Sequence, residues 1–379
     1  MAGFTDRLYK NIIVFARKTK EILMFPQNVM RINQIVGKPS YYPEMERKSR
    51  NEMWKDNFTW LCKHHELNIF YTSYGLDIRG FRNPDDFIPH KEFCVLRDLG
   101  NQKKKYTITG NYTYIVLLRD KYIFSAYLSS TIGKQYVVDT KALISAGSAF
   151  ICSENKWCSV SELFGVDTEY VYKKIDGECA DGVMLVQGQA NGVVVDGIHM
   201  SQEQFIHKLG QSNYIIQNVI IQHQDLNIFK TKSVNTIRII TIMGQSGAVN
   251  VFAAFLRLSG SAESFVDNRA KGGIGVGIEL DTGRLMRYGF PHDAFGVKVD
   301  HHPISGVKFA DVVLPYWNET VELVRNAHKQ FYELQSIGWD VVLTQNGPVL
   351  LEGNDDWEIG GPQDTYGGLK NRWNDLVSR

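Results

Sequence analysis

The chain has 379 residues, of which 44% are hydrophobic and 22% charged, a composition that excludes a disordered or fibrous protein and predicts two or three packed units. Lysine plus arginine number 42 and aspartate plus glutamate 41, so a net charge of +1 gives no overall basic field for a nucleic-acid backbone. The five cysteines form no pair at two-residue spacing, and no apolar run reaches the length of about 18 residues that a membrane span needs. We therefore expect a cytoplasmic protein without a transmembrane segment or a cleaved leader.

Apolar residues recur at helical spacing among lysines and arginines in residues 4–25, which predicts an amphipathic helix. Such a helix usually packs on its own domain. The alternative is a basic helix that lies on a membrane surface and gives the protein a peripheral membrane contact.

The next segments change character along the chain. Residues 50–130 predict mixed helices and short strands, with helical spacing after Asp120 and Lys121. From about residue 150, short β-rich segments separated by Gly and Asp turns predict an antiparallel meander, a small domain that ends near Gln211. The apolar segments SNYIIQNVIIQ, SVNTIRIITIMG and AVNVFAAFLRL read as strands of one larger sheet, and residues 315–335 predict a helix.

The clearest chemical pattern lies in residues 338–358, GWDVVLTQNGPVLLEGNDDWE. Two apolar strands flank QNGP, which is a hairpin signal. A three-residue loop that ends at Gly347 in the left-handed conformation would pair Asp340 with Glu352 on one face of the hairpin. A two-residue loop would instead place Asp340 opposite Gly353, on the other face.

Asn354 lies two residues beyond Glu352 and points the same way, because side chains alternate along a strand. Together with Asp340, these side chains would form an all-oxygen site of the kind that Mg²⁺ prefers when it bridges phosphates. The alternative is that polar residues end the two strands at a solvated edge. The spacing alone does not choose between the two interpretations.

A second pattern is EYVYKKIDGECADGV, in which a strand carries Lys173 and Lys174 into a turn that contains Gly177 and Gly182. Glycine permits close approach of backbone amides to an anion, and a lysine at the strand end adds a positive charge for a phosphate. The spacing matches neither the phosphate-binding P-loop nor a dinucleotide-binding fingerprint. A plain hairpin with exposed lysines is the alternative.

A third pattern is SVNTIRIITI, in which Asn235 and Arg238 interrupt an apolar strand. Alternation places the Arg238 side chain opposite those of Ile237 and Ile239. A guanidinium held there suits a carboxylate or a phosphate, and the alternative is an arginine that caps a sheet edge.

The order of these features along the chain resembles that of the ATP-grasp superfamily. The features are a lysine at a helix start, a lysine before a glycine-rich turn, an arginine in a strand, and Asp followed by Glu-x-Asn. More narrowly, the chain resembles the sugar-transfer-associated ATP-grasp proteins, related to those implicated in teichuronopeptide biosynthesis. The segments that carry the resemblance include RDKYIF, VYKKIDGECADGV, SVNTIRIITI, DNRAKGGIGVGIELDTGRL and GWDVVLTQNGPVLLEGNDDWE.

The resemblance implies an α/β (α+β) ATP-grasp fold. Its parts would be an N-terminal substrate-side domain at 1–115, an ATP-grasp part at 116–211 that includes a small β-rich lid at about 150–211, and a catalytic part with a larger mixed sheet at 212–379.

The resemblance also implies the role of each site residue. ATP phosphates would be held by Lys121 and Lys173, with Lys174 as a possible substitute, and the adenine by the segment of Gln217, Asn218 and Val219. We expect His223 in the nucleotide pocket. Arg238 would meet the γ-phosphate or an acyl phosphate, Asp340, Glu352 and Asn354 would bind one or two Mg²⁺, and Asn235, Asn268 and Lys271 would face the acceptor.

The activity that the resemblance implies is ATP-dependent ligation of a carboxylate to an amine through an acyl phosphate. The substrates would be an amino acid or amino alcohol and a uronic acid of a surface polysaccharide or its precursor, such as a sugar nucleotide, with no nucleic-acid partner. The alternatives are an ATP-grasp kinase that phosphorylates a hydroxyl and a non-catalytic nucleotide-binding scaffold. The presence of all three metal-type residues argues against the scaffold.

Overall fold

The computed structural model describes residues 23–101, 115–177, 182–260, 272–291 and 297–379. The chain divides into two compact units. The first unit comprises Met1–Val95, Ala294–Lys298 and Ile359–Lys370, and the second comprises Leu96–Asp293, Val299–Glu358 and Asn371–Arg379. Both β-sheets belong to the second unit.

The helices, in chain order, are α1 (23–36), α2 (Arg50–His64), α3 (His90–Gly100), α4 (Val116–Arg119), α5 (Lys121–Thr131), α6 (Gln202–Leu209), α7 (Trp317–Lys329), α8 (Gly360–Tyr366) and α9 (Lys370–Ser378). The strands are β1 (Thr140–Ser145), β2 (Ser148–Ile151), β3 (Lys156–Ser159), β4 (Glu169–Lys174), β5 (Met184–Gln189), β6 (Gly192–Val195), β7 (Ile198–Met200), β8 (Tyr214–Asn218), β9 (Thr236–Met243), β10 (Val249–Leu258), β11 (Ile274–Ile278), β12 (Leu285–Pro291), β13 (Ser336–Thr344) and β14 (Gly347–Asn354).

The first unit is built around α1 and α2, whose apolar side chains share one core with Tyr71, Tyr74 and Phe87. Ser49 starts α2 with a capping box, in which its hydroxyl accepts from the Glu52 amide and the Glu52 carboxylate accepts from the Ser49 amide. Most of the amphipathic helix predicted at residues 4–25, with its membrane-contact alternative, lies outside the described residues.

The smaller strands form an eight-stranded sheet in the order β3-β2-β1-β8-β4-β5-β6-β7. The predicted antiparallel meander is present as β4, β5 and β6. The YIIQN segment, which we grouped with the larger sheet, instead forms β8 and inserts between β1 and β4. Strands of this sheet therefore extend from Thr140 to Asn218, and one face packs on α6 through Phe205 and Leu209.

The larger sheet has six strands in the order β12-β11-β10-β9-β13-β14. All its pairs are antiparallel, so the mixed pairing expected for this sheet is wrong. The segments around β9 and β10 belong to one sheet, as predicted, and pair with each other. Helix α7 covers one face but ends at Lys329, before the predicted end at residue 335, because the chain turns there and Phe331 and Leu334 enter the same core. The His328 Nε2 lies 2.8 Å from the Leu334 carbonyl oxygen and closes this turn.

Across the described ranges, every helix is either too short or too polar to cross a lipid bilayer.

Candidate functional site

The β13–β14 hairpin brings two carboxylates together, since Asp340 lies directly opposite Glu352. This pairing was predicted, but the predicted loop is wrong. Thr344 pairs with Gly347, so the loop has two residues, Gln345 and Asn346. The two-residue alternative considered from the sequence was Asn346–Gly347, which leads to Gly353; the observed loop by itself would place Asp340 opposite Leu351. A register shift after Asp340 adds one residue to β14 and restores the pairing with Glu352.

Two arginines hold Asp340, which is only 2% exposed. Arg238 on β9 donates to both carboxylate oxygens, with its Nε at 2.5 Å and its Nη2 at 3.1 Å. Arg257 on β10 places its Nη2 2.9 Å from the second oxygen and donates from Nε to the Thr236 hydroxyl at 2.8 Å. Burial alone would raise the pKa of Asp340, but the two guanidinium groups outweigh it and hold this pKa well below its usual value.

The pKa of Glu352 is raised, first by burial and then by the negative charge and hydrogen bond of Asp340. The two pKa shifts run in opposite directions, so Glu352 binds a proton more readily than Asp340 does. The sequence interpretation missed Arg257. Its signal was present in AVNVFAAFLRL, where alternation places an arginine opposite the two leucines that enter the core.

Asn354 lies beside this pair, opposite Gly338. Its amide nitrogen donates to the Gly338 carbonyl oxygen at 3.3 Å and lies 3.5 Å from Glu352 Oε1. Asp340, Glu352 and Asn354 therefore present hard oxygen ligands on one face of the hairpin, and a divalent cation bound there would offset the negative charge of the carboxylates. The residues fit a Mg²⁺ site, although both Asp340 oxygens also accept hydrogen bonds from arginines.

The two consecutive lysines of β4 point to opposite faces of the eight-stranded sheet. Lys173 lies opposite Ile215 and away from Tyr172, which belongs to the core on α6. Burial lowers the pKa of Lys173, while the charges of Glu352 and Asp340 raise it and that of Lys121 lowers it. Lys173 therefore interacts electrostatically with Lys121 and with the carboxylate pair.

Lys174 lies opposite Tyr214, on the face of the sheet that packs on α6. Its side-chain carbons approach Gly182 so closely that a Cβ added there would lie 2.6 Å from Lys174 Cγ. The structure therefore brings Lys173, and not Lys174, to the carboxylates.

Lys121 is the first residue of α5, which Asp120 caps by accepting from two backbone amides at 2.9 Å. The Lys121 Nζ donates to the Gly177 carbonyl oxygen at 2.5 Å, and its amide donates to the Ile175 oxygen at 3.3 Å. Lys121 thus contacts the turn that follows Lys173.

The predicted adenine segment begins in β8. Gln217 is 4% exposed and shares the face of Lys173, because it pairs with Val171. The Asn218 amide nitrogen donates to Asp139 Oδ2 at 3.2 Å, and Val219 follows the end of the strand.

Two other predicted residues have local structural contacts. The Nδ1 of His223, which is mostly buried, accepts from the Asp225 amide at 3.2 Å, and the ring contacts Tyr316 edge to face. Asn235 is completely buried, and both its backbone and side-chain nitrogens donate to Gln222 Oε1 at 3.1 Å. Asn268 and Lys271 lie outside the described residues.

A sequence model of one family, described as sugar-transfer associated ATP-grasp, matches residues 102–376. The chain belongs to this family. It has the ATP-grasp fold, so the predicted resemblance and fold class are confirmed. The residues of the candidate site lie partly on the eight-stranded sheet and partly on the six-stranded sheet. No protein of curated function matches the chain in sequence.

Solved structures of other ATP-grasp proteins resemble this one at low identity. They include N5-carboxyaminoimidazole ribonucleotide synthetase from Thermotoga maritima (10% identity, TM-score 0.33, 63% of this chain and 42% of that one) and L-amino acid ligase from Bacillus licheniformis (12%, 0.36, 68% and 45%). A third is D-alanine–D-alanine ligase from Helicobacter pylori (13%, 0.38, 69% and 60%). The matched part spans 42% to 60% of the length of these three proteins.

Proposed function

We propose that the protein is an ATP-dependent carboxylate–amine ligase that forms an amide through an acyl phosphate. The observation that carries the proposal is the convergence of Lys121 and Lys173 on the Asp340–Glu352 pair, with Arg238 beside it. Cations for phosphate and oxygens for a metal thus meet at one place, as phosphoryl transfer needs.

The nucleotide would lie against the face of the eight-stranded sheet that carries Lys173 and Gln217. Lys121 and Lys173 would neutralise phosphate charge, and Lys121 would exchange its bond to the Gly177 oxygen for a phosphate oxygen. Gln217 and Val219 would approach the adenine at the end of β8. Lys174 takes no part in this arrangement.

Glu352, Asn354 and Asp340 would hold Mg²⁺, which when bound neutralises charge on the phosphates and aligns the γ-phosphoryl group for transfer. Arg238 and Arg257 would keep Asp340 ionised and oriented. Because both arginines lie on the same face as the carboxylates, they would also stabilise negative charge that develops on the transferred group.

The reaction would have two balanced steps. A substrate carboxylate oxygen attacks the γ-phosphorus, the bond to the bridging oxygen breaks, and ADP leaves. An amine nitrogen then attacks the acyl carbon, phosphate leaves with the electron pair of the broken C–O bond, and the nitrogen loses a proton. No side-chain nucleophile is required, since the protein supplies positioning and charge.

We propose a uronic acid of a surface polysaccharide, or its precursor, as the acid and an amino acid or amino alcohol as the amine. The sugar-transfer association in the family description supports this choice of acid.

The experiment uses the purified protein with Mg·ATP, a mixture of uronic acids and nucleotide-linked uronates, and a mixture of amino acids and amino alcohols. Mass spectrometry follows products while ADP and phosphate are assayed in parallel. A second reaction replaces the amines with hydroxylamine, which captures any acyl phosphate as a hydroxamate, and Glu352→Gln serves as the inactive control.

A new mass equal to acid plus amine minus water, formed with equal amounts of ADP and phosphate, would support the ligase. A phosphorylated product that forms without an amine and without phosphate release would establish a kinase instead. Turnover of ATP that yields neither an amide nor a hydroxamate would contradict the acyl-phosphate route.

A further inference from the structure

Three consecutive residues, Arg119, Asp120 and Lys121, join separate parts of the candidate site. Lys121 contacts the turn that follows β4 through Gly177, and Asp120 caps α5. Arg119 ends α4 and donates to both carboxylate oxygens of Asp355, with Nε at 3.0 Å and Nη2 at 3.3 Å. Asp355 directly follows Asn354 at the end of β14.

The Arg119–Asp355 pair differs from an ordinary surface ion pair. The Asp355 side chain is only 3% exposed, whereas that of Arg119 is 47% exposed. The contact is a two-point fork that fixes orientation as well as distance. The backbone of Asp355 is also held, because the Asn101 amide nitrogen donates to its carbonyl oxygen at 3.2 Å. The Arg119–Asp355 pair therefore connects the end of α4 to the residue that follows β14.

Packing supports the same connection. Gly353 lies between Glu352 and Asn354, and a Cβ added to it would lie 2.7 Å from Leu118 Cδ2 and 3.3 Å from Phe124 Cε2. Helices α4 and α5 therefore pack directly against β14, which carries Glu352 and Asn354, and Gly353 is a point of close approach.

We propose that Arg119 is a positioning residue that sets the distance between the phosphate lysine Lys121 and the oxygens of Glu352 and Asn354. It acts through the Asp355 bridge and touches neither nucleotide nor metal itself. This inference rests on the proposed nucleotide site and goes beyond it, because it assigns the alignment of the two halves of that site to one ion pair.

The test is a double-mutant cycle on binding of Mg·ADP, measured by calorimetry with the full chain. Arg119→Gln is expected to weaken Mg·ADP binding roughly 5- to 20-fold, which lies within the range of coupling for residues that share one network. In a Lys121→Met background, the same change is expected to cause little further loss, because Arg119 works through Lys121. Arg119→Lys should recover only part of the affinity, since lysine lacks the two-point fork.

The matched control is Arg325→Gln, which removes another arginine–carboxylate pair, to Glu322 at 3.0 Å on α7, away from the site. It should leave Mg·ADP affinity unchanged. If Arg119→Gln does not fold, Asp355→Asn provides the same test from the other side of the pair, because it keeps the shape of the side chain but removes the charge that Arg119 binds.

Unchanged Mg·ADP affinity in Arg119→Gln, or losses that simply add to those of Lys121→Met, would overturn this inference alone. Failure of the unaltered protein to bind Mg·ADP would overturn the proposed function, and the inference with it.

Discussion

The two sheets of the larger unit prepare their parts of the site in different ways. In the six-stranded sheet, Glu352 on β14, Asp340 on β13 and Arg238 on β9 lie opposite one another in one row, and their positions follow from the strand register. In the eight-stranded sheet, Lys173 is the second-last residue of β4, and the turn that follows this strand accepts a hydrogen bond from Lys121 of α5. Backbone pairing between strands fixes the carboxylates and Arg238. The position of Lys173 depends instead on a turn and on the long side chain of Lys121.

This difference matches the two tasks that we propose for the site, which are phosphoryl transfer and nucleotide binding. Charges that must meet a metal and a transferring phosphoryl group benefit from a rigid, water-poor sheet, where electrostatic interactions are strong. The lysines that we propose as phosphate ligands can tolerate more movement, because a lysine acts as a point charge on a flexible stem. Changes in the six-stranded sheet should therefore affect chemistry, and changes in the eight-stranded sheet should affect nucleotide binding.

The largest effect is expected from Glu352→Gln. The change keeps the shape of the side chain but removes the charge that would bind Mg²⁺, so we expect ATP-dependent turnover to fall roughly 100- to 1,000-fold. Steady-state release of ADP measures it, with far-UV circular dichroism as the folding check. Glu154→Gln, at an exposed position between β2 and β3, is the control and should keep full activity. Turnover of Glu352→Gln within a few-fold of the unaltered protein would contradict the metal site.

The next effect distinguishes the two neighbouring lysines of β4. Lys173→Ala should weaken ATP binding about 10- to 100-fold, as expected for loss of a charged hydrogen bond to phosphate. Lys174→Ala should leave ATP affinity almost unchanged, since Lys174 lies on the other face of the sheet. Competition binding with a fluorescent nucleotide measures both variants. A larger loss in Lys174→Ala would reverse our assignment of the phosphate lysine.

A third prediction concerns the core under the carboxylate strand. His328 is completely buried, its Nδ1 lies 2.7 Å from the Thr241 hydroxyl, and burial lowers the pKa of His328 to about 4. The unfolded chain binds the proton near pH 6.5, so the neutral ring contributes its full stability above that pH and loses it as pH falls toward 4.

The loss between these pH values should be roughly 3 kcal/mol of unfolding free energy. Urea denaturation at pH 7.5 and 4.5 measures it against a His328→Gln variant, which should be less stable at pH 7.5 but should lose less on acidification. Equal losses in the two proteins would show that other groups cause the acid sensitivity.

The smallest effect is expected from loss of the helix cap of α6, and it should be confined to the eight-stranded sheet and α6. Ser201 begins α6 with a capping box, accepting from the Gln204 amide at 3.1 Å. Ser201→Ala should destabilise α6 by about 1 kcal/mol. Hydrogen exchange should detect this as faster exchange in α6, without change in β9 or β13. Faster exchange in both sheets would mean that the two halves unfold together.

The sequence predicted local pairing well, because the signals lie within a few residues. The β13–β14 hairpin, the lysine strand and the helix after Asp120 all follow from turn residues and side-chain periodicity. The loop was assigned incorrectly because a bulge in β14, which sequence spacing does not reveal, compensated for a shorter turn.

Long-range arrangement was harder to predict. Insertion of β8 between β1 and β4 depends on pairing with two strands distant in sequence, for which periodicity gives no partner. Arg257 and Arg119 were missed for the same reason: each acquires its meaning from a carboxylate on another element, Asp340 or Asp355. The resemblance to the ATP-grasp superfamily gave the order of the site residues but not these supporting contacts.

The most direct test of the account is a crystal structure of the protein with Mn²⁺, in place of Mg²⁺, and a non-hydrolysable ATP analogue, with the metal located by its anomalous scattering. We predict Mn²⁺ bound to oxygens of Glu352 and Asn354, with Lys121 and Lys173 on the phosphates. A nucleotide bound elsewhere, or Mn²⁺ that contacts neither Glu352 nor Asn354, would contradict the central claim that the two sheets form one phosphoryl-transfer site.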